Sequence, residues 1–214
     1  MKTKKTVQNM TEFAILLAIE AIFCFTPLGS LPTIGTIVMT LGMIPVVITS
    51  LILGVGYGTA MGAFAGLFSL IYFTFMSSSP VAFVFSPFVS TGLFKGNFGS
   101  IIICFVPRIL TGTLPILIYK FLTKIMPKVD KLNLVISSII GSLINTLGVL
   151  FFIWIFFSDQ YLIETGNQGQ VIGTVIGLLI LTNGLPEALL TGIVSPIIVS
   201  AHNIIKNRKK IKES

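Results

Sequence analysis

Five polar side chains stand inside stretches that are otherwise apolar: Glu20, Arg108, Asn145, Asn183 and Glu187. Such groups are costly in an apolar medium unless paired or hydrated, so they mark functional positions by default. Arg108 is the only basic residue placed in this way, and its planar, permanently charged fork of donors suits a carboxylate or a phosphate. Pro107 before it removes a backbone donor and frees a carbonyl nearby. Asn145 and Asn183 add neutral donors and acceptors that a purely internal ion pair would not need. Two other readings stay open: Arg108 pairs with Glu20 or Glu187 and only fixes the fold, or Glu187 faces the ligand and favours a cation.

Spacing puts these groups at one level. Arg108 lies 12 residues from Lys120, Asn145 14 from Lys131, and Glu187 18 from Ile205. At helical rise these are about 18, 21 and 27 Å from the basic ends of their helices, in the outer half of a hydrocarbon core about 30 Å thick. Glu20, 15 residues from Lys5, reaches a similar level, and Asn183 sits one turn above Glu187. Polar groups gathered just below an outer surface, where loops can close over them, have the geometry of a capture site.

The elements that carry them are membrane spans. The chain has 214 residues, 54% hydrophobic and 10% charged, with a mean hydropathy of +1.00, which no soluble domain shows. At about 20 residues per crossing the length admits six spans in a single domain, 1–214. The pattern predicts helices over Met10–Phe25, Thr36–Leu53, Tyr57–Met76, Ser100–Leu122, Leu132–Phe157 and Asn183–Ile205. The second and third form an antiparallel hairpin across Gly54-Val-Gly56-Tyr-Gly58. Val171–Thr182 is expected to lie at, or dip in from, the outer surface. Charge fixes the count. Twelve of the fourteen basic residues precede the first helix, join the fourth to the fifth, or end the chain. Six spans put all twelve on one side, and the positive-inside rule makes that side cytoplasmic, together with both termini. The expected fold is therefore an all-α integral membrane protein of six transmembrane helices in the cell membrane.

Several functions are excluded on the same grounds. The net charge of +7 sits in clusters between apolar runs rather than along a folded polar face, which argues against nucleic acid. Cys24 and Cys104 have no second cysteine at motif spacing, so neither a disulfide framework nor a metal site is indicated. Lys2 to Lys5 before an apolar run resembles a secretory leader, but Glu20 interrupts the run, which reads as a retained first helix. No phosphate-binding glycine loop and no nucleophile–histidine–acid set is present, so neither an enzyme nor a cofactor is expected.

Other features concern packing and cover. Gly54, Gly58, Gly62 and Gly66 recur every fourth residue and admit a close backbone. Ala14, Ala18 and Ala21 form a similar small-residue face on the first helix, for packing inside the bundle or for docking a second membrane protein. Phe83, Phe85, Phe88, Phe94 and Phe98 lie in the connection from Ser77 to Gly99, either over the site or as lipid anchors. Trp154 fits an interfacial aromatic belt, and His202 falls near an inner helix end.

Taken in order, Ala14-x-x-x-Ala18, Phe25-Thr-Pro-Leu-Gly29, Ile44-Pro45-Val46, Leu53-Gly54-x-x-Tyr57-Gly58, Pro107-Arg108-Ile-Leu-x-Gly112, Gly141-Ser-Leu-x-Asn145-Thr146 and Leu181-Thr-Asn183-Gly-x-Pro186-Glu187-Ala188 resemble the substrate-binding S components of energy-coupling factor (ECF) transporters, in particular the branch that includes pantothenate transporters. The resemblance covers nearly the whole chain. It implies a six-helix S component with a vitamin site near the outer surface, and docking onto a membrane coupling protein (T component) that carries two ATPase subunits. It also implies that Ala14 and Ala18 contact the coupling protein. Pantothenate, a small carboxylate with hydroxyl and amide groups, matches Arg108, Asn145 and Asn183; Glu187 is also expected at the site and keeps a ligand other than pantothenate open, because an acidic group suits a cation. A niacin-like acid or a thiamine or pyridoxine precursor is the nearest alternative, and a non-transport membrane assembly protein the more distant one.

Overall fold

The computed structural model describes residues 2–31, 39–91 and 94–213. Among them the chain is a bundle of apolar helices: α1 (Lys2–Phe25), α2 (Met43–Leu53), α3 (Val55–Phe75), the short α4 (Ala82–Phe85), α5 (Phe98–Ile125), α6 (Asp130–Glu164), α7 (Ile172–Leu179) and α8 (Leu185–Glu213). Two small antiparallel ladders pair Ser30–Leu31 with Met39–Thr40 and Ser90–Thr91 with Phe94–Lys95. α1, α3, α5 and α6 are each long and apolar enough to cross a membrane, as is the continuous stretch Ile172–Lys206. With the shorter α2 they make six.

α2 departs most from expectation. Residues 36–38 of the predicted helix lie outside the described residues, while Met39–Thr40 are strand and the helix begins only at Met43. Gly42 precedes it, and Pro45 falls in its first turn, where a missing backbone N–H costs nothing. Eleven residues give about 16 Å, roughly half a bilayer core.

Other boundaries move outward. α5 starts at Phe98 because Asn97 caps it: its Oδ1 accepts from Gly99 N at 2.7 Å, and Ser100 Oγ accepts from Asn97 N at 3.3 Å. α6 runs past Phe157, bending there (φ −141°, ψ 19°), and continues to Glu164 because Tyr161 packs into the same buried cluster as Phe157. Val171–Thr182 is not a separate surface segment: α7 runs into α8 without a break through a π-helical turn, Ile180–Gly184. Val175 and Leu179 anchor α7 in the cluster formed by α4, α5 and α6.

The tightest seam joins α3 to α5. A methyl group added at Gly58 would meet Gly112 O at 2.0 Å, at Gly62 Arg108 O at 2.2 Å, and at Gly66 Cys104 O at 2.8 Å. Three of the four recurring glycines therefore serve backbone contact. Gly54 does not; it turns the α2–α3 hairpin at φ +89° with open space around it, a conformation that favours glycine.

Candidate ligand-binding site

A short α2 leaves a space above its start, and the surrounding helices enclose it as a cavity of about 410 Å³, within the range of small-molecule sites. Glu20, Phe23 and Cys24 of α1 line one wall, Gly42 and Met43 the floor, and Ala65, Ser69, Tyr72 and Phe73 of α3 a second wall. Arg108 of α5, Asn145 and Thr146 of α6, and Asn183 and Glu187 from the π turn and α8 complete it, with Ser77–Ser79 near the loop end. All four residues selected from the sequence thus face one space, together with Glu20.

Arg108 is held by its own helix. Pro107 has no N–H for the carbonyl of Ile103, and Arg108 Nη1 donates to that oxygen instead at 2.9 Å, and to Cys104 O at 3.2 Å. Nη2 donates to Ser69 Oγ of α3 at 3.1 Å. Neither Glu20 nor Glu187 is in salt-bridge contact with the guanidinium, so the internal ion pair is not formed. Of the five donors of an arginine, that on Nε and one on Nη2 make no hydrogen bond among the described residues. They form the edge of the fork that grips a carboxylate with two parallel bonds.

Other polar atoms here are buried without partners among the described residues: Glu20 Oε2, Asn145 Oδ1, both side-chain polar atoms of Asn183, and Glu187 Oε1. A buried polar atom left unpaired costs about 1–3 kcal/mol, and in folded proteins such atoms bond to protein, water or ligand. Five such atoms belong to residues that line one cavity, where a polar ligand or water is the kind of partner such atoms take. Gly184, the last residue of the π turn, packs on Thr146, next to Asn145 in sequence; a methyl there would lie 2.8 Å from Thr146 Cγ2.

The phenylalanines of the outer connection divide. Phe83 and Phe85 are buried in α4, Phe85 stacks on Phe73 with ring centroids 4.4 Å apart, and Phe85 alone of the five lines the cavity. Phe94 packs against Phe83, whereas Phe88 and Phe98 are exposed. Ser69, Cys24 and the serines 77–79 are lining residues that sequence reasoning missed; small polar groups are cheap to bury, so nothing singled them out. Ala14 and Ala18 are exposed on α1, flanked by Met10, Ile15 and Ile22. His202 Nε2 meets Glu12 Oε2 at 3.3 Å and ties α8 to the inner half of α1. Among the described residues no three His, Cys, Asp or Glu side chains cluster as metal ligands.

Residues 8–199 match the family described as ECF transporter, substrate-specific component. The pantothenic acid transporter PanT of Lactococcus lactis subsp. cremoris (strain MG1363) is 31% identical over 169 residues, 78% of this chain and 79% of that protein. The solved structure of ThiT from Listeria monocytogenes superimposes with a TM-score of 0.59 at 15% identity, covering 92% of this chain and 96% of that one, a likeness of fold. The chain belongs to the substrate-specific components of ECF transporters, a family of multi-pass membrane proteins that serve vitamin uptake.

Proposed function

We propose that this ECF component captures pantothenate at the outer face of the cell membrane and delivers it through a coupling protein driven by two ATPase subunits. The observation that carries the ligand assignment is the edge of Arg108 that makes no hydrogen bond among the described residues, in a largely apolar cavity that also carries unpartnered amide and carboxylate atoms. A carboxylate closes the fork of Arg108 in a bidentate pair. Asn145 and Asn183 offer a donor and acceptors to an amide, and Glu187 accepts from a donor on the ligand. The likeness to PanT supports the same ligand. Ala14 and Ala18, exposed and small, let the backbone of a coupling protein approach α1 closely.

The test combines mass spectrometry of small molecules co-purifying with the detergent-solubilised protein with titration of pantothenate into wild type, Arg108→Gln and Arg108→Lys. The glutamine variant is expected to lose a contact of about 1.5–3 kcal/mol, about ten- to a hundredfold in affinity. Lysine is expected to recover only part, because a point charge does not reproduce the fork. Wild-type affinity in a folded Arg108→Gln protein removes the carboxylate clamp.

A further inference from the structure

The assignment above leaves one cavity group without a role. Glu20 is 2% exposed, its Oε2 has no partner among the described residues, and it lies on α1, which supplies none of the residues assigned to the ligand. Its position is built rather than incidental. Gly42 opposes it at the start of α2, where a methyl group would stand 3.3 Å from Glu20 Oε1, a tighter approach than most side chains allow. Arg108 does not engage it, because the guanidinium is directed to Ile103 O, Cys104 O and Ser69. Arg108 takes the carboxylate of the ligand, so the donor that reaches Glu20 Oε2 comes from the rest of the molecule, and this oxygen is free to accept it.

From this we infer that Glu20 is a specificity-determining residue, a second subsite that accepts a hydrogen bond from a hydroxyl at the end of the ligand remote from its carboxylate. The inference rests on the pantothenate reading, whose ligand carries two hydroxyls at that end. It explains how the cavity distinguishes that ligand from a simpler acid: a niacin-like molecule satisfies Arg108 but leaves Glu20 buried and unpaired. Sites built to bond a ligand hydroxyl discriminate strongly against analogues that lack it.

A double-mutant cycle between protein and ligand decides the matter. Wild type and Glu20→Gln are titrated with pantothenate and with two analogues, each lacking one hydroxyl. In wild type, removal of the contacted hydroxyl is expected to weaken binding about ten- to a hundredfold. In Glu20→Gln the parent binds more weakly, because the neutral amide oxygen is a poorer acceptor than a carboxylate, and the same removal costs less than in wild type, so the two losses are not additive. Additive losses for both analogues, with pantothenate still bound by wild type, overturn the subsite and leave the pantothenate reading standing. No binding of pantothenate to folded wild type overturns both. Should Glu20→Gln not fold, Glu20→Asp, which keeps the charge but withdraws it by one methylene, takes its place in the cycle with the same outcomes.

Discussion

Gly62→Ala tests whether the α3–α5 seam positions the binding arginine. The added methyl would lie 2.2 Å from Arg108 O and 2.8 Å from Ile109 Cα, whereas real Cβ atoms keep at least 3.0 Å from such neighbours. Both contacts are backbone and cannot rotate aside, so the helices must part by the difference between 2.2 and 3.0 Å, about 0.8 Å. Overpacking of this kind costs about 1–3 kcal/mol of stability. Function suffers separately. Arg108 Nη2 donates to Ser69 Oγ across the same seam at 3.1 Å, and the same parting stretches the bond to about 3.9 Å, beyond hydrogen-bond reach. Freed from α3, the guanidinium loses its fixed plane, and affinity for the ligand is expected to fall about tenfold, the effect of one charge-assisted bond. Gly56→Ala is the control: it sits in the first turn of α3 with nothing within 4 Å of the added methyl, and is expected to be neutral or stabilising by about 0.4–1 kcal/mol. Thermal unfolding in detergent and ligand titration on both variants supply the readouts. If Gly62→Ala melts and binds like wild type, the close-packed seam does not position Arg108.

Three further outcomes follow from the same geometry. Replacing Ala14 and Ala18 together by Leu is expected to spare ligand binding but weaken co-purification with the coupling protein; unchanged yield of the complex would return the exposed face of α1 to lipid contact. The protein alone in liposomes is expected to bind its vitamin without accumulating it, and concentrative uptake driven by an ion gradient would reassign it to secondary transport. Gly54→Ala forces a non-glycine residue to φ +89° in the α2–α3 turn; a loss of about 1–2 kcal/mol in unfolding is expected, and a stable variant would show that the hairpin tolerates another turn.

The cavity was legible where polarity is expensive. Arg108, Asn145, Asn183, Glu187 and Glu20 could be found because apolar surroundings make each of them conspicuous, and helical rise placed them at one level. The shape of the space was not read. It depends on a helix that starts late, although Gly42 ahead of the first turn and Pro45 within it were a readable start signal. The early start of α5 was equally marked, by Asn97 with Ser100 three residues on. The bent passage from α7 to α8 had a weaker trace: Val171–Lys206, 36 residues, is too long for one straight span and short for two. That excess length was real, but a widened turn carries no residue signature of its own, and the stretch divides differently from the reading given to it. Ser69 stayed hidden because its partner lies 39 residues away in sequence and one serine among apolar residues announces nothing.

The π turn at Ile180–Gly184 also bears on how such a site changes over generations. A π turn holds one residue more than the α-helix around it. Deleting a single residue there lets the helix close into regular form, so the change is tolerated by the backbone where most deletions in a span would not be. The loss is then absorbed within the turn, so α7 keeps Val175 and Leu179 in their buried cluster while Asn183, inside the turn, loses its place on the cavity wall. Loss of one residue here, rather than substitution, is thus expected to alter recognition at that one wall and to leave Arg108 and the α3–α5 seam in place.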